Sequence, residues 1–257
     1  MWGYQKLGFW WLTMTAKRLL EKLAGEVDKL LNKLDGLAQK TRPYIPFTVL
    51  NTVWRSLDKR NESILDVGCG KGVPMRFINR RSQFYTVGVD IFEPYLRECK
   101  RQGIHNEYIL ANVGKLPFQR KSFDIVLCME VLEHLEKEEG GKLLQAVEEI
   151  ARNQVIITTP VGTYKQDAYD SNPYQEHKFI WNPAEMKALG YKVQRLGLCH
   201  MSGEDELMAR LPRVIKLLNL IIWVAAGPLV RLIPLLAGHM VATKSLSPEG
   251  YSGKGKD

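Results

Sequence analysis

Cysteine is scarce in this chain: there are four in 257 residues, Cys69, Cys99, Cys128 and Cys199, and no two form a CxxC pair. That spacing argues against a disulfide framework or a zinc site, and the scattered thiols read as core residues of a protein in a reducing, cytoplasmic compartment. Nothing in the sequence calls for a metal. Long apolar runs are also missing. The longest uncharged stretch, Leu217 to Val230, is interrupted by Gly227 and Pro228 and falls short of the ~20 residues that cross a bilayer. The N-terminus, MWGYQKLGFWWLTMTAKRLL, interleaves aromatics with lysines and has no apolar core ending in a small-residue cleavage site, so it is not a secretory signal. No internal repeat is evident.

What is present is ordinary globular composition, 45% apolar and 25% charged, which excludes wholesale disorder. The net charge of +8 is unevenly placed. Residues 1–62 carry 11 Lys/Arg against 6 Asp/Glu, whereas residues 63–202 carry 18 against 17. A basic flank rich in Trp and Leu favours an anionic lipid surface over nucleic acid.

From 63 to 200, β-branched or aromatic runs alternate with helical stretches, the pattern of a parallel sheet with crossover helices. Strands are expected at 63–68, 84–90, 107–112, 123–129, 154–160 and 192–199, with a further one at 239–246. Helices are expected at Glu93–Gln102 and Lys142–Arg152; in the second, Leu143, Leu144, Val147 and Ile150 recur at helical spacing. The tail, 247–257, reads as disordered.

The segment ILDVGCGKG at 64–72 lies at the first strand-to-helix turn, which in such a sheet faces the ligand crevice. Glycine at 68, 70 and 72 permits positive φ and lets a ligand approach the backbone. A dinucleotide fingerprint needs G-x-G-x-x-G, and Val73 stands where the third glycine belongs, so NAD is disfavoured. Asp90, ending the pattern VGVD, can accept both hydroxyls of a ribose, and no basic residue sits beside it to take a 2′-phosphate. Asp66 lies inside the first strand and suits the positive end of an aminoacyl nucleoside. Together they point to S-adenosylmethionine.

ILDVGCGKG, VGVD, LPF and SFDIVLCMEVLEHL resemble the ordered motifs of a class I S-adenosylmethionine-dependent methyltransferase of the small-molecule, methyltransferase type 11-like kind. The resemblance implies an α/β, Rossmann-like doubly wound fold: a mostly parallel seven-stranded sheet, with N-terminal helices and an apolar helical insert before the last strand. It implies a methionyl contact at Asp66, Gly68, Cys69, Gly70 and Gly72, a ribose contact at Asp90 and Ile91, an adenine contact at Asn112 and Val113, and a methionine-side wall at Glu130. Asn112 departs from the family, which commonly has aspartate there, although its amide oxygen could still accept from the adenine amino group. The implied organisation is an N-terminal helical flank at 1–61, the cofactor-binding core at 62–202, the insert at 203–238, the last core strand at 239–246 and the tail.

Methyl transfer from a sulfonium is a direct displacement that needs alignment rather than a covalent nucleophile. An oxygen acceptor gains from a general base, and His177, in SNPYQEHKFIW after the fifth strand, is the catalytic candidate; capping or substrate contact is its alternative role. His134 reads as structural. Tyr164, Tyr169, Tyr174 and Trp181 could form an aromatic lid or simply pack.

Arg210, Arg213, Lys216 and Arg231 bracket the apolar insert around Trp223, and Trp2, Tyr4, Phe9, Trp10 and Trp11 cluster beside Lys6, Lys17 and Arg18. Both segments suit an interfacial anchor on the cytoplasmic face of a membrane, with 211–237 and the N-terminus in contact and a quinone precursor, isoprenoid or lipid-linked sugar as acceptor. A buried cap or a dimer contact is the alternative for the insert. A stripe of Leu20, Leu23, Val27, Leu30, Leu34 and Leu37 is expected to pack on the domain. Two rival functions stand beside the lipid reading: a soluble methyltransferase of a small metabolite or glycan, and a non-catalytic membrane-binding module. Nucleic acid is not expected, because MEVLEHL stands where an NPPY signature would follow the fourth strand.

Overall fold

The structure, a computed structural model, describes residues 44–162, 166–168, 170–198 and 237–246 together with Ile222, Val230, Ile233 and scattered positions between 21 and 33. The chain divides into two compact units, 1–42 with 203–221, and 43–202 with 222–257. The second unit holds the sheet. Helix α1 (Val49–Ser56), which the sequence places with the flank, belongs to it: the Thr48 hydroxyl caps α1 by accepting the Asn51 amide. Val53 and Leu57 then pack with Ile64, Ile78 and Phe84, each such burial contributing roughly 1.5–3 kcal/mol.

The remaining described elements are β1 (Ser63–Val67), α2 (Val73–Ile78), β2 (Tyr85–Asp90), α3 (Glu93–Arg101), β3 (Glu107–Leu110), β4 (Phe123–Met129), α4 (Lys137–Ile150), β5 (Ala151–Pro160), α5 (Pro183–Ala188), β6 (Lys192–Leu198) and β7 (Ala237–Ser245). They form one seven-stranded sheet in the order β3-β2-β1-β4-β5-β7-β6. All neighbours are parallel except β7, which runs antiparallel to both β5 and β6. The doubly wound α/β fold expected from the alternating pattern is therefore present.

β1 and β4 lie in the middle of the sheet, and their mostly apolar sequences, interrupted in β1 by Asp66, are what a strand covered on both faces requires. The strand order reverses between them, which places the ligand crevice at their C-terminal ends. At the opposite end of the sheet, Asp124 Oδ2 accepts the Glu62 and Ser63 amides and the Ser63 hydroxyl, joining β4 to the start of β1.

Two boundaries differ from the sequence reading. α4 starts at Lys137 rather than Lys142, because Glu136 and Glu139 form a capping box ahead of Gly140 and Gly141. It also stops at Ile150, so that Ala151 and Arg152 already belong to β5. Gly140 is in the helix for a packing reason: a Cβ there would lie 2.9 Å from Cζ2 of Trp181. Trp181, 4% exposed and edge-on to Phe179, is thus a core side chain and not part of a lid.

Among the flank residues that are described, Val27 and Leu30 are 52% and 57% exposed. Val230 is buried in the main core, while Ile222 and Ile233 are exposed. The N-terminal aromatic cluster, the rest of the insert, Cys199, Tyr164, Tyr169 and the tail lie outside the described residues. No described helix is long and apolar enough to cross a membrane.

Candidate active site

The loop after β1 takes the shape its glycines permit. Gly68, Gly70 and Gly72 have φ of +72°, +52° and +75°. The Gly68 and Cys69 amides both donate to Val89 O, at 2.8 and 2.9 Å, so the loop is tied to the end of β2. A Cβ at Gly68 would fall 2.3 Å from Val131 Cγ2, which brings the loop against the segment that follows β4. A Cβ at Gly70 would meet nothing within 4 Å. The backbone at Gly70 is therefore open to a ligand, the cradle that an aminoacyl nucleoside needs.

Asp90 closes the other side. Its Oδ2 accepts the Gly70 amide at 2.7 Å and its Oδ1 the Phe92 amide at 2.8 Å, which points the carboxylate at the loop. Burial raises its pKa, and the Phe92 and Gly70 amides only partly oppose that. Each carboxylate oxygen retains a lone pair after one amide bond, so two ribose hydroxyls can still be accepted. Ile91, half-buried, follows directly.

Asp66 lies beneath the loop, 3% exposed, with its Oδ2 3.4 Å from His105 Nε2. His105 occupies the space left by Gly88, where a Cβ would come 2.6 Å from its ring. Cys69 and Cys99 complete this buried group. The Cys69 thiol, followed by His105, holds the Cys99 thiol down at about 6. Burial pulls His105 down, but Asp66 and Cys99 outweigh it and raise it to about 9. The group supports the loop from below, and sequence reasoning missed His105.

Asn112 Oδ1 accepts the Gly114 amide at 2.8 Å, capping a short 3-10 turn over Val113–Lys115. The oxygen expected to read adenine therefore already carries one bond, and Val113 beside it is buried.

The opposite wall holds acids and histidines. Glu130, just past β4, has φ of +53°, a conformation that costs a non-glycine residue about 1–3 kcal/mol and tends to occur at functional sites. Its Oε1 accepts from Thr158 Oγ1 at 2.7 Å, and its Oε2 is 3.6 Å from His239 Nε2 on β7. Burial would lift the Glu130 carboxyl, but the charge and hydrogen bond of His239 outweigh it and keep it low. Glu133, 1% exposed, accepts from Thr159 Oγ1 at 3.0 Å; burial and the Glu130 charge push it well above the usual carboxylate range.

Glu133 belongs to a 3-10 turn, Leu132–His134, whose Glu133 carbonyl accepts the Lys178 and Phe179 amides. That brings His177 beside His134, with ring centroids 5.0 Å apart. His134 Nδ1 is 3.1 Å from Glu176 O, and burial lowers this imidazole to about 4, so it is neutral and donates that N–H. The structure thus gathers Glu130 and the catalytic candidate His177 at one end of the crevice. It adds Glu133 and His239, for which sequence reading gave no role, while His134, read as structural, bonds the Glu176 carbonyl; the Glu-x-x-Glu-His spacing after β4 was the available signal.

Residues 65–156 match the methyltransferase domain family. The uncharacterized protein MJ0638 of Methanocaldococcus jannaschii is 38% identical over 143 residues, 53% of this chain and 57% of that protein. The ubiquinone biosynthesis O-methyltransferase of Neisseria meningitidis serogroup C is 34% identical over 84 residues, 30% of this chain and 35% of that enzyme. The chain thus matches about half or less of the length of these relatives. A SAM-dependent methyltransferase from Archaeoglobus fulgidus shares the fold, with a TM-score of 0.50 at 20% identity over 82% of this chain and 93% of that one. The glycine loop and Asp90 lie within the matched segment, and this segment and the sheet order are similar to those of class I S-adenosylmethionine-dependent methyltransferases.

Proposed function

We propose that the protein transfers a methyl group from S-adenosylmethionine to a small, lipid-soluble acceptor at a membrane surface, with a quinone precursor, an isoprenoid or a lipid-linked sugar as the acceptor class. One observation carries the methyl-transfer part: the Asp90 carboxylate is bonded to the amide of Gly70, the loop position where a ligand meets open backbone. S-adenosylmethionine, when bound, supplies an activated methyl group on a sulfonium. The residues of this chain then have positioning work to do. Asp90 and Ile91 hold the ribose side, Asn112 and Val113 the adenine side, and Gly68, Cys69, Gly70 and Gly72 the methionyl part, with Asp66 bracing the loop through His105. Glu130 closes the methionine side, and His177 works at the acceptor end.

Support for a lipid-soluble acceptor comes from the matched ubiquinone biosynthesis O-methyltransferase, from the exposed Val27, Leu30, Ile222 and Ile233, and from the basic, Trp-bearing insert. The test uses methyl-labelled S-adenosylmethionine and purified protein added to membrane, soluble and RNA fractions of the native cell. Label in the organic extract of the membranes supports the reading. Label confined to aqueous small molecules, or to RNA, replaces the acceptor class, and no label in any fraction contradicts methyl transfer. In parallel, flotation with anionic liposomes should carry the protein upward; protein left in the soluble fraction sinks the docking part.

A further inference from the structure

Beneath the glycine loop, donor atoms of Cys69, Cys99 and His105 lie within 4.8 Å of one another, and all three side chains are buried. They arrive from three directions. Cys69 belongs to the loop after β1, Cys99 to α3, and His105 to the segment leading into β3. Two glycines make room for them: a Cβ at Gly72 would fall 2.5 Å from Cys99 Sγ, and one at Gly88 would fall 2.6 Å from the His105 ring and 3.0 Å from Cys69 Sγ. The Tyr108 hydroxyl ties two of the three backbones together, accepting the His105 amide at 2.8 Å and donating to the Cys99 carbonyl at 3.4 Å. The polar atoms held this way are left unsatisfied. Both ring nitrogens of His105 and Asp66 Oδ2 are buried without a hydrogen-bond partner, Oδ2 standing 3.4 Å from Nε2, and the Cys69 thiol makes only a weak 3.8 Å bond to Gly70 O. Buried polar atoms in a native fold are normally paired, so a group of orphans around two thiols calls for an ion.

We propose that Cys69, Cys99 and His105 bind one zinc ion beneath the loop, with Asp66 as the carboxylate beside the imidazole. Two thiolates and an imidazole form a donor set that zinc takes in preference to the harder cations. A carboxylate next to a ligating histidine fixes the orientation of its ring. The two thiol protons leave to solvent as the ion enters. The ion joins the loop to α3 and to the approach to β3, at the residue before Gly70, whose backbone is open to a ligand. Zinc thus sets the shape of the cradle from below. No spacing along the chain announces the group, because the two cysteines are far apart and the histidine comes from a third segment. The zinc site does not depend on the methyl-transfer reading.

The test uses untagged full-length protein, purified under reductant from cells grown with zinc sulfate, dialysed against a weak chelator and assayed for metal by mass spectrometry. Wild type should hold one zinc per chain, and Cys99→Ala at least ~10-fold less. Cys99 makes none of the proposed cofactor contacts, so this variant reads the metal alone. Protein from cobalt-supplemented medium should show the thiolate-to-cobalt absorption of a tetrahedral site, absent in Cys99→Ala. Stripping zinc with a strong chelator should lower the melting temperature of wild type and leave that of Cys99→Ala unchanged. Should Cys99→Ala fail to fold, the zinc content and cobalt spectrum of wild type decide without it. Wild-type protein carrying neither metal, a cobalt form without thiolate absorption, or a zinc content unchanged in Cys99→Ala overturns the proposal. A metal-free chain lighter by two hydrogens would make the two cysteines a disulfide and overturn it as well. All of these readings are taken without S-adenosylmethionine, so a failure of the methyl-transfer reading leaves the zinc site standing.

Discussion

The Gly70 amide donates to Asp90 Oδ2 across 2.7 Å, so the acid at the end of β2 holds the loop that follows β1. The carboxylate thus fixes the loop shape, and in the proposed function it receives the ribose as well. Asp90→Ala should weaken S-adenosylmethionine binding by at least ~30-fold, since hydrogen bonds to a charged group contribute about 1.5–3 kcal/mol and more than one is lost. Calorimetric titration checks this; an affinity within a few-fold of wild type would show that Asp90 faces no ribose.

The glycines of the loop should differ in their tolerance. Gly68→Ala places a methyl 2.3 Å from Val131 Cγ2, whereas Gly70→Ala enters open space. Both carry the cost of a positive φ, about 1–2 kcal/mol. Gly68→Ala should therefore lower the melting temperature of the ligand-free protein clearly more than Gly70→Ala, and Gly70→Ala should act mainly on cofactor affinity. Equal losses of stability would contradict the geometry.

Asn112→Asp should tighten cofactor binding. The carboxylate keeps an acceptor for the Gly114 amide and adds a charged one for the adenine amino group, a gain of about 1 kcal/mol or ~5-fold in Kd. Unchanged or weaker binding would place adenine elsewhere.

Asp124 should contribute stability that depends on pH. Burial works to raise its carboxyl, but the Glu62 amide, Arg152, and the Ser63 hydroxyl and amide outweigh that and lower its pKa. A depressed folded value means that the contribution is fully present above the ordinary carboxylate range and is lost as pH falls through the folded value. At neutral pH Asp124→Asn should cost about 1–3 kcal/mol in urea unfolding, and the gap should shrink as pH drops below 3.8, the ordinary value for the group. A gap that stays constant into acid would show that the charge is irrelevant.

Most of the sheet was legible because its central strands are buried on both faces and so appear as short β-branched runs. The helix before β5 was read late because Gly140 and Gly141 look like breakers, although Gly140 is required by the Trp181 ring. The start of β5 was also missed, since Arg152 and Asn153 are polar and no glycine or proline separates strand from helix. The wall assigned to the cofactor was readable because Asp66 and Asp90 lie in or at the end of short strands and the glycines form the turn that follows β1. The opposite wall was readable only in part, through Glu130 and His177. His239 reaches Glu130 only because β7 folds back antiparallel, placing His239 opposite Pro160, and His177 meets His134 only through backbone bonds to Glu133. Contacts of that kind leave no pattern along the chain.

The most direct measurement is calorimetric titration of the full-length protein with S-adenosylmethionine, for wild type, Asp90→Ala and His177→Asn. One site per chain, lost in Asp90→Ala and kept in His177→Asn, is the predicted result. No binding by the wild-type chain, or binding indifferent to Asp90, would contradict the assignment of the crevice to this cofactor.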